Sequence, residues 1–267
     1  MSGFFYFYSV IETCIILGTG NVAHHLLKAF VNSNIEVLQI YGRSDAKALE
    51  LANAYGLPYT SDKDNVLNSA DLYLLCVSDS VILEVAQIEA LRNKFLVHTA
   101  GSVHLDVLQT ITPSRGVMYP LQSFSKFREL NYSQIPFFIE ASTPEFAMDL
   151  KQFVSKISNN VVEMNSSERL YLHLAAVIAS NFTNHMYAIA GKLLEQHNID
   201  FSILRPLILE TAQKVMFNYP IESQTGPAVR NNVDVMNKHI DMLSKTPEWQ
   251  KIYTFVSESI LKLKENN

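Results

Sequence analysis

The chain has little that would tie it to nucleic acid, to a membrane or to an oxidising compartment. No run of basic residues occurs in its 267 residues, and 21 Lys+Arg against 26 Asp+Glu give a formal net charge of −5. Binding to a phosphate backbone rests on clustered cations, so nucleic acid is not expected as the main partner. The two cysteines, Cys14 and Cys76, lie in apolar, strand-like runs and not in a spaced framework. That argues against a disulfide scaffold or a Cys-based zinc site and fits a reducing, cytoplasmic setting. The histidines, the pair His24-His25 included, show no recognised ligand spacing, which leaves a metal enzyme with little support. The aromatic segment 1–10, with Phe4, Phe5, Tyr6, Phe7 and Tyr8, lacks a basic flank and a small-residue cleavage site, and Glu12 interrupts it. It falls short of the roughly 20 residues a membrane span needs and reads as a short surface extension, or as sequence upstream of the true start.

What is present is a large apolar fraction, 48% hydrophobic against 18% charged, enough to bury one or two cores. The first half alternates short apolar strands with helix-like segments, the pattern of a parallel sheet with crossover helices. Strands are expected at 13–17, 36–41, 71–77, 94–99, 116–119, 136–141 and 160–164. Thr143-Pro144-Glu145 marks a helix start, with a capping hydroxyl before a proline at the first helical position. Beyond about Ser166 the strand signal stops, and helices are expected at 167–197, 201–217, 227–243 and 247–264. The fold class is therefore α/β, a Rossmann-type mostly parallel sheet over 1–165 followed by an all-helical domain over 166–267.

The apolar run Cys14-Ile15-Ile16-Leu17 enters Gly18-Thr19-Gly20-Asn21-Val22-Ala23 and then a helix-like segment. This is Gly-x-Gly-x-x-Ala between strand and helix, the turn that seats a dinucleotide pyrophosphate on free helix N-terminal amides. About 20 residues on, where a carboxylate would hold the adenosine ribose of NAD, the sequence reads Gly42-Arg43-Ser44. Arg43 can pair with a 2′-phosphate and Ser44 can donate to it, which favours NADP; the alternative for Arg43 is a solvated loop cation. Two more strand ends point to the same crevice. Val77 and Ser78 close one and Thr99 the next, with Ser78 and Thr99 as candidate ribose or nicotinamide contacts, while His98 is either functional or a satisfied core histidine.

From Leu170 to Gly191, 22 residues pass without Asp, Glu, Lys or Arg. Such a helix is buried on all sides or spans a membrane, and its histidines and asparagines make the membrane costly. At 100° per residue His173, Ser180, Asn184 and Tyr187 fall near one line, with Asn181 about 80° away. His173 and Asn181 then either line an active-site cleft or satisfy each other's polarity in a helix-helix or subunit contact. Thr225-Gly226-Pro227 is read as opening a helix that carries Arg230. That cation either clamps an anionic substrate or pairs with Asp234.

The turn at 18–23, the block Tyr119-Pro120-Leu121-Gln122-Ser123-Phe124, the stretch from His173 to Ala179-Ser180-Asn181, and Thr225-Gly226-Pro227 with Arg230 and His239 together resemble the Rossmann-like plus DUF2520 family. The resemblance spans nearly the whole chain. It implies an architecture akin to the 6-phosphogluconate-dehydrogenase-like and pyrroline-5-carboxylate-reductase-like enzymes, whose helical domains commonly mediate dimerisation, and an NADP-dependent oxidoreductase acting on a small molecule. Tyr119 stands where members often carry His, and Asn232 where they often carry Asp after the arginine. No counterpart of the catalytic lysine of β-hydroxyacid dehydrogenases is evident; Lys192 lies near the far end of the long helix. The reading is an oxidoreductase with nicotinamide in the crevice, His173 as general acid/base, Asn181 orienting substrate or carboxamide, Arg230 anchoring an anion, and a homodimer formed through the helical domain. The alternative is a non-catalytic NADPH-binding sensor or scaffold on the same fold.

Overall fold

A computed structural model describes residues 11–265. The aromatic segment 1–10 lies outside the described residues. By its internal contacts the chain forms two units, one ending at Asn181 and the other beginning at Phe182. Asn165, at the expected boundary 165/166, is the N-cap of a helix.

The first unit is built on one eight-stranded sheet in the order β3-β2-β1-β4-β5-β6-β7-β8. Its strands are β1 Thr13–Leu17, β2 Glu36–Tyr41, β3 Tyr59–Thr60, β4 Leu72–Leu75, β5 Leu96–His98, β6 Arg115–Pro120, β7 Phe137–Ala141 and β8 Val161–Glu163. All neighbours are parallel except β6 and β7, which run antiparallel with Gly116 opposite Ala141. The helices are α1 Asn21–Asn32, α2 Asp45–Asn53, α3 Ile82–Ala86, α4 Pro144–Ser155 and α5 Ser166–Ala176.

The two-residue period of a strand sorts its side chains between two cores. Cys14 and Ile16 of β1 join Leu26 and Phe30 of α1 and Leu150 and Phe153 of α4. Ile15 and Leu17 join Tyr73, Leu75 and the α3 residues Ile82 and Val85 on the opposite face. Strand β4 is buried along its length, as a central parallel strand must be. Thr143 caps α4 as expected, its Oγ1 accepting from the Phe146 N–H at 3.2 Å. Asn165 and Glu168 form a reciprocal capping box at the start of α5. β3, two residues long, carries too little pattern to be read from sequence.

The long helix expected at 167–197 is not uniform: α5 passes into a π turn, Val177–Phe182. The widened i→i+5 spacing lowers the rotation per residue below 100°, so the helical-wheel placement of Asn181 away from His173 does not hold. Nor is the charge-free stretch buried on all sides in this chain. Leu170, Tyr171 and Leu174 are more than half exposed.

The second unit comprises α6 Thr183–Glu195, α7 Arg205–Phe217, α8 Val233–Met242 and α9 Pro247–Glu265. The helix expected from Pro227 begins only at Val233. Gly226 and Asn231 hold positive φ, and Asn232 serves as N-cap, its Oδ1 accepting from the Val235 N–H at 3.2 Å. Arg230 therefore sits exposed on a turn and not on a helix, and among the described residues it makes no ion pair with Asp234. His239 Nδ1 lies 2.8 Å from the Tyr253 hydroxyl, tying α8 to α9. No helix of the described residues is long and apolar enough to cross a membrane.

Candidate active site

Strand order reverses between β1 and β4, and ligands of open α/β sheets sit at the carboxyl ends of the strands at such a point. The turn leaving β1 is there. Gly18 has φ +132°, and a Cβ on it would collide with the Cys76 carbonyl, so the approach of this turn to the end of β4 requires glycine. Gly20 is the N-cap of α1 without a side-chain cap, and a Cβ added to it meets nothing within 4 Å. The first-turn amides of α1 are thus left for a ligand, with the helix dipole favouring an anion. Ala23 is fully buried against the sheet core.

A cavity of about 270 Å³ extends from this turn and takes in Gly18, Thr19, Gly20, Arg43, Ser44, Lys47, Val77 and Ser78. Ser44 is the N-cap of α2, but its hydroxyl makes no capping bond. Arg43 faces Glu84 at 3.6 Å, both well exposed. Two cations and a free hydroxyl at a helix N-terminus, with no carboxylate in the cavity wall, fit a 2′-phosphate and offer no diol acceptor of the kind NAD takes. Cys76, buried, has its thiol pushed up to about 12 by burial, and Cys14 is raised further for the same reason. Both are inert, free thiols.

A second cavity, about 490 Å³, opens beside the ends of β5 and β6. Its wall brings together Val22, Thr99, Tyr119, Gln122, Ser123, His173, Ser180 and Asn181. The π turn places Ser180 and Asn181 on the same cavity as His173. Asn184 and Tyr187, expected on that line, border a different hollow in the second unit with Phe201 and Arg205. Tyr119 and His173 are joined by a hydrogen bond of 3.1 Å between the hydroxyl and Nδ1, with the rings edge to face. A Cβ on Gly101 would stand 2.7 Å from both groups, so their pairing depends on that glycine.

The segment after β6 is strapped to α1. Asn21 donates from Nδ2 to the Phe124 carbonyl at 3.0 Å, and His25 stacks on Phe124 while its ring nitrogens reach the Ser125 carbonyl and the Tyr132 hydroxyl, each at 2.9 Å. Lys28 pairs with Glu129, and Lys126 with Glu50. Gln122 and Ser123 are held over the cavity by these ties, and Gln122 Oε1 accepts from the Ser123 N–H at 2.8 Å. Sequence reasoning placed Gln122 and Tyr119 only through the family block; their position at and just past the carboxyl end of a strand was the signal for a site role. His25, set aside as half of an unspaced pair, proves to be the anchor of the strap. His98 is a core residue, fully buried, with Nδ1 accepting from the Ala100 N–H at 3.3 Å.

Sheet order, glycine turn and flanking cavities define a dinucleotide-binding protein of the Rossmann type. Residues 13–101 match a family model described as NADP oxidoreductase, coenzyme F420-dependent, and residues 135–260 match the domain of unknown function DUF2520. A Bacteroides fragilis protein described as a "putative NADP oxidoreductase" is 42% identical over 94% of this chain and 98% of its own, with a TM-score of 0.90. The chain belongs to the Rossmann-like plus DUF2520 family, and its cofactor is NADP. A Thermotoga maritima protein, 22% identical over 95% of this chain and 98% of its own, has a TM-score of 0.71. A 1-pyrroline-5-carboxylate reductase from Streptococcus pyogenes, 14% identical over 94% and 98%, shares the fold with a TM-score of 0.62. No curated protein matches the chain.

Proposed function

We propose that the protein is a cytoplasmic NADP-dependent oxidoreductase that transfers a hydride between nicotinamide and a small carbonyl or imine substrate. The observation that carries this reading is the open 490 Å³ cavity at the strand ends, which sets a titratable pair, Tyr119 and His173, beside the amides and hydroxyls of Asn181, Gln122, Ser123 and Thr99. A non-catalytic sensor has no need of an open, polar cavity next to its cofactor turn.

When bound, NADPH supplies the hydride. The chain does the rest. Gly18, Thr19, Gly20, Asn21, Val22 and Ala23 hold the diphosphate, Arg43 and Ser44 the 2′-phosphate, and Val77, Ser78 and Thr99 line the path toward the nicotinamide. His173 acts as general acid/base, and Asn181 orients the substrate or the carboxamide. Arg230, on its exposed turn, is the candidate anchor for an anionic substrate group.

The helical domain, taken from 166, is proposed to form a homodimer. Its exposed apolar residues, among them Leu174, Leu207, Met216 and Phe217, are what a second copy covers. NADPH binding followed by fluorescence, then NADPH oxidation against imines, 2-oxo acids and small aldehydes, tests the function. Absence of binding removes it, and His173→Ala turning over at the wild-type rate removes His173 from the chemistry.

A further inference from the structure

The 490 Å³ cavity has an uncharged wall. Among the described residues that line it there is no carboxylate, ammonium or guanidinium, and its polar groups are hydroxyls, amides, one imidazole and one phenol. A substrate reduced there needs a proton as well as a hydride, and only His173 and Tyr119 carry one that can be exchanged. Their geometry orders the two. His173 Nδ1 is engaged by the Tyr119 hydroxyl, so a proton on that nitrogen has the phenol oxygen as its exit. Tyr119, 9% exposed, stands at the end of β6, and Gly101 leaves the space its contact with His173 needs.

We propose that Tyr119 is the catalytic proton donor and that His173 recharges it, Nδ1 to Oη. This rests on the redox reading above and adds to it the atom that meets the substrate. With reduced nicotinamide as the electron source, the C=O or C=N carbon gains the hydride, and its heteroatom takes the Tyr119 proton with the displaced electron pair. The phenolate takes the proton from imidazolium Nδ1. His173, left neutral with its remaining proton on Nε2, regains the Nδ1 proton through the Tyr119 hydroxyl, which takes one from water once the product has left. In the oxidative direction each transfer runs backwards. Burial raises the Tyr119 phenol above its ordinary range, which keeps it protonated in the resting site, while the Arg169 guanidinium pulls the other way. Arg169 is itself paired with Glu140, and His98 is the other titratable group acting with it at this place.

The test uses full-length wild type and Tyr119→Phe, which keeps the ring and removes the hydroxyl. Nitrogen-15 histidine spectra of the NADP⁺-bound protein are expected to show neutral His173 with Nδ1 unprotonated in the wild type and a mixture of tautomers in Tyr119→Phe. NADPH affinity is expected to be equal in the two. With 1-pyrroline and propanal as probes, NADPH oxidation by Tyr119→Phe is expected to fall about 100-fold or more, with the pH-rate profile losing its dependence on the dyad. A merely structural hydroxyl would lower thermal stability and leave that profile in place. Full retention of the rate, or a neutral His173 protonated on Nδ1 in the wild type, overturns the relay. If neither probe is turned over, the tautomer decides. A wild type that binds no NADPH overturns the redox reading, and the relay with it.

Discussion

Arg169 and Glu140 are ion-paired beneath the first turn of α5, with the guanidinium only 1% exposed. Arg169 also donates from Nη2 to the Val103 carbonyl at 2.6 Å and to Ser166 Oγ at 3.0 Å, while Ser166 donates to Glu140 at 2.6 Å and accepts from the Leu105 N–H. One buried cation thus fastens α5 to β7 and to the loop after β5, one turn before His173. Removing one partner of such a pair leaves the other charge uncompensated, so Arg169→Met is expected to cost about 3–5 kcal/mol in urea unfolding. Arg169→Met combined with Glu140→Leu is expected to recover part of that loss, because the stranded carboxylate goes too.

His98, in β5, gives the protein a dependence on acid. Burial first, then the Arg169 charge, lowers its pKa to about 3, while a backbone contact at His104 opposes the shift. Between that value and the ordinary histidine range near 6.5, the unfolded chain binds a proton that the folded chain refuses. Stability is therefore full above the unfolded pKa and declines as pH falls below it, by at most about 1.4 kcal/mol per pH unit from this group. Unfolding free energies measured through that window are expected to show the slope in wild type and to lose that part of it in His98→Gln. An unchanged slope would assign the acid sensitivity to other groups.

How much of this was legible beforehand follows from how local each cause is. β1 and β2 were read to the residue, because a strand entering a glycine turn, and a mainly apolar six-residue segment closed by Gly42, are complete signals in themselves. The cofactor turn was legible for the same reason. The start of α8 was misplaced by six residues because Pro227 is a generic helix opener, whereas Asn232 accepting from Val235 is a choice made in three dimensions. The π turn is a departure from helical period that no periodicity count contains. The Tyr119–His173 contact joins residues 54 apart in sequence and needs an absent Cβ at position 101, so the sequence could name both residues without pairing them.

Arg43 is the residue proposed to hold the 2′-phosphate and so to set cofactor preference. Its contact with Glu84 is long and exposed and holds it only weakly. The guanidinium is therefore free to turn to a 2′-phosphate, where a charge-assisted hydrogen bond contributes about 1.5–3 kcal/mol. Arg43→Ala is expected to weaken NADPH binding by roughly 10–100-fold, with little change for NADH, in a fluorescence titration. Glu84→Gln, which frees the arginine of its competitor, is expected to tighten NADPH slightly. Equal losses for both nucleotides would place Arg43 on the diphosphate or adenine instead.

Leu170, Tyr171 and Leu174 share one face of α5, at 51%, 76% and 53% exposure, in a stretch that carries no charge to keep it in water. The second unit has the same shortage of cover. Its buried apolar side chains among the described residues are Ala228 and Leu243, while Phe217 is 87% exposed. For a helical domain that buries so little within one chain, the homodimer proposed above supplies the missing cover and predicts where a charge will break it. Sedimentation equilibrium at micromolar concentration is expected to find wild type as a dimer. Leu174→Glu would bring an unpaired carboxylate into the contact, at a cost of several kcal/mol, and is expected to yield monomer with unchanged circular dichroism. Phe127→Ser, which removes an exposed aromatic from the strap after β6, is expected to leave the dimer intact and serves as control. A wild-type monomer would remove the homodimer, and a Leu174→Glu dimer of undiminished affinity would move the subunit contact off α5.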